Sequence, residues 1–175
     1  MNPRRIWSLG CSAFLLASLW EFAAPVAAIS ISAAAFAPGE PMPAKYAYKG
    51  QNISPELRIA NVPANARSLV LIVDDPDSPS GLWTHWLLWN VRADTTSLVE
   101  GVKFSKPMEG KNSFGHVRYD GPAPPSGTHR YFFHLYALDT SLFLPAGSSR
   151  TTLEKAMNGH IVGTGETFGV YSASQ

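Results

Sequence analysis

The chain has 175 residues, 45% of them hydrophobic and only 15% charged. That is about one domain's worth, and its balance excludes intrinsic disorder. A net charge of +1, with Lys and Arg thinly spread, excludes a nucleic-acid binder working through a basic face. Fourteen Pro and 14 Gly point to a turn-rich fold rather than a helix bundle.

In chain order, the first feature is a leader. Arg4 and Arg5 precede an apolar run, Ile6 to Trp20, and Val26-Ala27-Ala28 supplies small residues before Ile29. This is the layout of a cleavable signal peptide over 1–28, with one domain over 29–175. A membrane anchor is the competing reading, but the run is short for the ~20 residues a span needs. Lipoprotein processing at Cys11 and twin-arginine export both lack their sequence context. Cleavage after Ala28 removes the only cysteine and leaves a neutral chain with no disulfide and no thiol nucleophile. The mature form is then exported, periplasmic or secreted, without a membrane span, as a monomer or homodimer.

Lys45–Tyr48 and Glu56–Ala60 are weak strand candidates. Ser68–Val73 is continuous and β-branched, as expected of a strand buried on both faces. A Pro-stiffened loop, Asp75–Gly81, leads to a second strand at His85–Val91. Two more loops, Gly110–Gly115 and Asp120–Gly127, precede the strongest strand, Arg130–Leu138. Thr151 and Glu154 form a capping box that predicts a helix ending at Gly159. Ile161–Tyr171 reads as a strand bent or bulged at its glycines. The fold class expected is mainly β (α+β), with a central sheet covered by a second sheet or by helices.

Polar groups converge at one edge of that sheet. Asp75 closes one strand and His85 opens the next, so antiparallel pairing brings them together. His129 joins them if its strand runs parallel to that of His85 and lies near by. Tyr131 shares a face with His129, whereas His134 faces the other way. Pro76, Pro79, Pro124 and Pro125 wall the pocket, and Gly121 and Gly127 let backbone approach a ligand. The imidazoles and the phenol are donors for an anion, with Asp75 holding an imidazole protonated. Taken singly, Asp75 reads equally as a turn former, each His as a strand-end group and Tyr131 as core; their joint placement favours a binding site. Phe114, Trp83 and Trp86 read as groove lining or as core. Core is favoured for Trp86, and Trp83 stays open. Asn52-Ile53-Ser54 matches a glycosylation sequon but is followed by Pro55, and reads as a turn.

Several segments resemble the phosphatidylethanolamine-binding protein family, in its bacterial Raf-kinase-inhibitor-like branch. They are Gly50–Leu57 (GQNISPEL), Leu71–Pro79 (LIVDDPDSP), Thr84–Asn90 (THWLLWN), Lys111–Gly115 (KNSFG), Tyr119–Pro125 (YDGPAPP), Gly127–Asp139 (GTHRYFFHLYALD) and Ala156–Gly159 (AMNG). The resemblance implies a single domain with a large central antiparallel sheet, a smaller sheet and one or two short peripheral helices. It also implies an anion pocket built from Asp75, Asp77, Pro79, Trp83, His85, Gly121, Pro124, Pro125, His129 and Tyr131. Two departures, Ala123 and Tyr48-Lys49, stand where relatives often carry Cys, and neither removes a pocket donor.

Three functions follow as expectations. The first is a non-catalytic module for phosphate, phospholipid head groups or similar anions, with no cofactor and no metal. The second is a secreted inhibitor or regulator of a hydrolase or kinase, with a protein target. The third, least favoured, is a metal enzyme using Asp75, His85 and His129. Serine hydrolysis is weaker still, with no G-x-S-x-G element and with Ser80 and Ser126 as ordinary loop serines.

Overall fold

The computed structural model describes residues 26–104 and 108–174. Eight strands and one α-helix follow in chain order: β1 (Ala27–Ala28), β2 (Ser30–Ala33), β3 (Leu57–Ala60), β4 (Ser68–Asp75), β5 (Trp83–Arg92), β6 (Ser97–Leu98), β7 (Thr128–Leu138), α1 (Arg150–Met157) and β8 (Ile161–Ser172). They make a five-stranded sheet in the order β1-β8-β7-β4-β5 and a three-stranded sheet in the order β2-β3-β6. Among the pairings of these strands, β1–β8 is parallel and the others are antiparallel.

All eight residues of β4 are buried. One side packs Leu69, Leu71 and Val73 with Phe133 and Leu135 against Ile31, Leu57 and Ile59 of the small sheet. The other packs Val70 and Ile72 with Leu87 and Trp89 against Leu153 and Met157 of α1. The continuous apolar run of β4 therefore serves two core layers, which is why it lacks polar alternation.

Several local expectations are corrected. Lys45–Tyr48 is not a strand. Pro43 cannot donate to a sheet ladder, and its carbonyl instead accepts from Tyr46 N at 3.0 Å to open a short 3-10 helix, Ala44–Tyr46. The helix cap is Ser149, not Thr151: Ser149 Oγ accepts from Thr152 N at 3.2 Å, and Glu154 pairs with Arg150 within the helix. Strand β8 pairs with β7 in register from Ser172 back to Gly163; its one irregularity falls beside Gly163, between Gly163 and Ile161, as the expected bulge, while Gly165 and Gly169 mark close approach. A Cβ at Gly165 would lie 2.2 Å from the Ile29 carbonyl oxygen.

Among the described residues, strand pairing is already present at Ala27, two residues ahead of the expected domain start. The rest of the predicted leader, including Cys11, lies outside the described residues, among which no helix is long and apolar enough to cross a membrane.

Candidate functional site

β5 and β7 flank β4, and each runs antiparallel to it. They are therefore parallel to one another, the arrangement needed to bring His85 and His129 to the end of β4. Asp75 is the last residue of β4 and pairs with Trp83. A cavity of about 220 Å³ opens there. Asp75, Pro79, Trp83, His85, Pro125 and His129 line it, as the sequence predicts. Ser78, Ser80, Phe114 and Ala123 complete the lining. Small-molecule sites usually span ~300–1,000 Å³, so this one suits a small ligand or the end group of a larger one.

Both imidazoles are anchored through Nδ1. His129 Nδ1 lies 2.7 Å from Asp75 Oδ2, and both residues are buried. His85 Nδ1 lies 2.7 Å from the Asp120 carbonyl oxygen. A carbonyl only accepts, so His85 Nδ1 carries the proton. Burial pushes the His85 pKa down, opposed by the Asp120 carbonyl and the charge of Asp75. His85 therefore stays neutral at neutral pH, and its Nε2 offers a lone pair. The expectation has both imidazoles as donors; the neutral His85 ring instead has Nε2 available as an acceptor.

Phe114 forms the aromatic wall. It stacks on Tyr48 at 5.0 Å between ring centroids and meets Trp83 and His85 edge-on, each at 5.4 Å. Trp86 is core, with Nε1 donating to Glu109 at 2.6 Å.

Four residues of the expected set do not line the cavity. Asp77 instead clamps the β4–β5 loop onto β7, accepting from Arg130 N at 2.9 Å and from the guanidinium at 2.7 and 2.9 Å. That contact holds its carboxyl down at about 2. The Tyr131 hydroxyl is buried without a hydrogen-bond partner, and its ring packs edge-on to His85 at 5.2 Å. The hydroxyl sits next to Asp75 and the Ala123 backbone, behind the cavity lining rather than within it. Pro124 faces a neighbouring cavity shared with Lys49 and Tyr171. Gly121 approaches protein, not ligand: a Cβ there would lie 1.8 Å from the Tyr46 carbonyl oxygen. Pro76 also lies outside the lining, and Gly127, at φ +67°, serves a turn.

Beneath the site lies a hub that sequence reasoning missed. The Asp120 carboxylate is fully buried. It accepts from Asn52 Nδ2 at 2.8 Å, Asn112 Nδ2 at 2.8 Å and Arg118 Nε at 3.1 Å, and lies 2.7 Å from His116 Nδ1. Burial alone would raise its pKa. The hydrogen bonds from Asn52, Asn112 and His116 and the Arg118 charge outweigh burial and hold it below the ordinary value. Asn52 also accepts from Gly121 N at 2.7 Å, so the sequon asparagine ties down the Pro-rich loop from a left-handed turn at φ 54°. The signal was present in the sequence as polar residues, Asn52, Asn112 and Asp120, inside three otherwise separate motif segments.

The metal set is not assembled. Among the described residues no group of three His, Cys, Asp or Glu side chains has ligating geometry.

A two-sheet β domain with a small His/Asp/aromatic cavity at one sheet edge defines the class, and sequence comparison agrees. The family model described as phosphatidylethanolamine-binding protein matches residues 32–172. A UPF0098 protein of Methanothermobacter thermautotrophicus is 47% identical over 135 residues, covering 74% of this chain and 89% of that protein. A crystal structure of a Chlamydia trachomatis protein, CT736, described as a putative PEBP homolog, superposes with a TM-score of 0.79 at 41% identity, covering 83% of this chain and 97% of that one. Escherichia coli YbcL, described as a member of the mammalian PEBP family, gives a TM-score of 0.75 at 26% identity over 83% of this chain and 99% of its own. The chain belongs to the phosphatidylethanolamine-binding protein family.

Proposed function

We propose that this protein is a non-catalytic binding module whose cavity takes a phosphate-type group, free or as a phospholipid head group, in a protonated, monoanionic form. The observation that carries this reading is the anchoring of both imidazoles by Nδ1, which leaves Nε2 of each to address the cavity. Neutral His85 accepts from a P–OH group. His129, when protonated, donates Nε2–H to a P–O⁻ oxygen while Asp75 balances its charge. Among the described residues no Lys or Arg lines the cavity, which disfavours capture of a dianion by bulk charge. Among the described residues, neither Ser78 nor Ser80 has its hydroxyl bonded to an imidazole, which supports binding over nucleophilic catalysis.

His129→Gln keeps an amide donor for Asp75 but removes the ring nitrogen. A hydrogen bond to a charged group contributes roughly 1.5–3 kcal/mol, so affinity for inorganic phosphate should fall about ten- to a hundredfold. Calorimetry at pH 6 on both proteins measures this. Equal affinity would remove His129 from the site.

The leader layout supports export. Processing after Ala28 forfeits only the β1 pairing. Ile29 stays, with its buried side chain and its N–H bonded to the Thr164 carbonyl at 2.7 Å. N-terminal sequencing of periplasmic material should find a start at or near Ile29. A membrane-embedded product with Met1 intact would contradict export.

A further inference from the structure

A second cavity lies on the other side of the Asp120 hub. It encloses about 450 Å³, twice the first and within the usual range for small-molecule sites. Its apolar surface comes from Ile53, Trp86, Val102 and Phe104. Two cations, Lys103 and Arg118, stand at its edge against one carboxylate, Glu109. Glu109 is already engaged by the Trp86 indole at 2.6 Å. Lys103 has no ion pair or hydrogen bond among the described residues. Arg118 spends Nε on Asp120 and its Nη2 lies 3.3 Å from His116 Nδ1, while its side chain is 56% exposed. Arg118 and Asp120 offset one another, which leaves Lys103 as the unpaired cation among the described residues; apolar walls with that cation and the exposed side of the Arg118 guanidinium fit a flat apolar body carrying one anionic group.

We propose that this cavity is an effector site for a small aromatic or otherwise flat organic anion, and that its occupancy is transmitted to His85 through Asp120. The connection is direct. Asn52 and Arg118 line the second cavity, and both donate to the Asp120 carboxylate. Asn52 also holds Gly121 N, and the Asp120 carbonyl holds His85 Nδ1 in the first cavity. An anion that draws Arg118 and Asn52 toward itself changes the load on Asp120, and the His85 ring is the next group along. The link passes through Asp120 itself, whose carboxylate meets Asn52 and Arg118 and whose backbone carbonyl meets His85, so a small displacement of the Asp120 backbone carries it.

The probe is anilinonaphthalene sulfonate, an aromatic body bearing one sulfonate. Fluorescence titration of the full domain should saturate at one equivalent. Val102→Trp fills the cavity and should abolish binding. Lys103→Glu alters only the exposed rim, so it remains informative if the core variant does not fold. It should weaken binding about fivefold, the scale of losing one partly screened charge contact and gaining a repulsive one. His129→Gln should leave the titration unchanged. In parallel, the imidazole NMR resonances of His85 should shift on saturation of the wild type, and not for Lys103→Glu at a probe concentration it does not bind. Absence of saturable binding, equal affinity in Lys103→Glu, or loss of binding in His129→Gln would overturn the site. Binding with a silent His85 would overturn the coupling. Because the coupling is read at the His85 ring itself, its outcome is separate from whether the first cavity binds phosphate.

Discussion

Asp120→Ala should lower unfolding free energy by about 3 kcal/mol, near the lower end for breaking a buried charge network. The estimate sits at that end because the partners differ. His116 and Arg118 are 41% and 56% exposed and can recover hydration. Asn112 is buried and loses its acceptor on Asp120, although it keeps contacts to the carbonyls of His85 and Arg118. For a domain of this size the loss corresponds to a melting point lower by roughly 6–12 °C. Urea denaturation of the two proteins measures it directly. The pH dependence has a definite sign. The folded pKa of Asp120 lies below its ordinary value of 3.8, so its contribution is complete above that value and disappears as pH falls through the folded value. The wild type should therefore lose stability more steeply than Asp120→Ala below about pH 4. A urea midpoint indistinguishable from wild type would mean that the hub is not a support of the fold.

Gly121→Ala is expected to be at least as damaging, for a different reason. A methyl group 1.8 Å from the Tyr46 carbonyl oxygen cannot be accommodated. Tyr46 is itself buried, and Ala47 N, Ala44 O and Pro43 O fix its neighbours in the 3-10 helix. Either the helix or the Pro-rich loop must move by more than an ångström. Moving the loop breaks the Gly121–Asn52 hydrogen bond and displaces the carbonyl that orients His85. Overpacking of this kind costs typically 1–3 kcal/mol, occasionally more. With the hydrogen bonds added, a loss of about 4 kcal/mol is expected. Phosphate affinity should fall as well, although Gly121 touches no ligand. Denaturation and calorimetry on the same sample test both statements. A stable Gly121→Ala protein with intact affinity would show that the Pro-rich loop has slack the structure does not display.

The candidate site was legible where chain direction and alternation decide position. The end of β4, the start of β5 and the start of β7 follow from three apolar runs, and antiparallel pairing of β4 with both neighbours brings Asp75, His85 and His129 together. Alternation along β7 put His134 on the opposite face, where it meets Asp74 and Glu166. Residues in the loops were not legible in this way. Asp77 and Pro124 belong to the right motifs but point elsewhere, because loop side chains obey no period and take whatever partner the tertiary structure brings. Arg130 happened to lie across from Asp77, and the clamp follows from that.

By itself, then, the sequence determined the long strands β4, β5, β7 and β8, that β4 is buried on both faces, and which motifs meet at one edge of the sheet. These are consequences of local periodicity and of apolar burial, which a single chain carries in its residue order. The same residue order reads wrongly at Lys45–Tyr48 and carries no sign of β1, β2 and β6. The tertiary structure alone decided what each polar group does there. It made Asp120 the fully buried acceptor of Asn52, Asn112 and Arg118, residues up to 68 positions away. It also made Gly121 a contact point with Tyr46 and set His85 Nδ1 against the Asp120 carbonyl. The physical reason is that hydrogen-bond partnership, desolvation and close approach depend on distances between segments, and those distances exist only once the two sheets have packed.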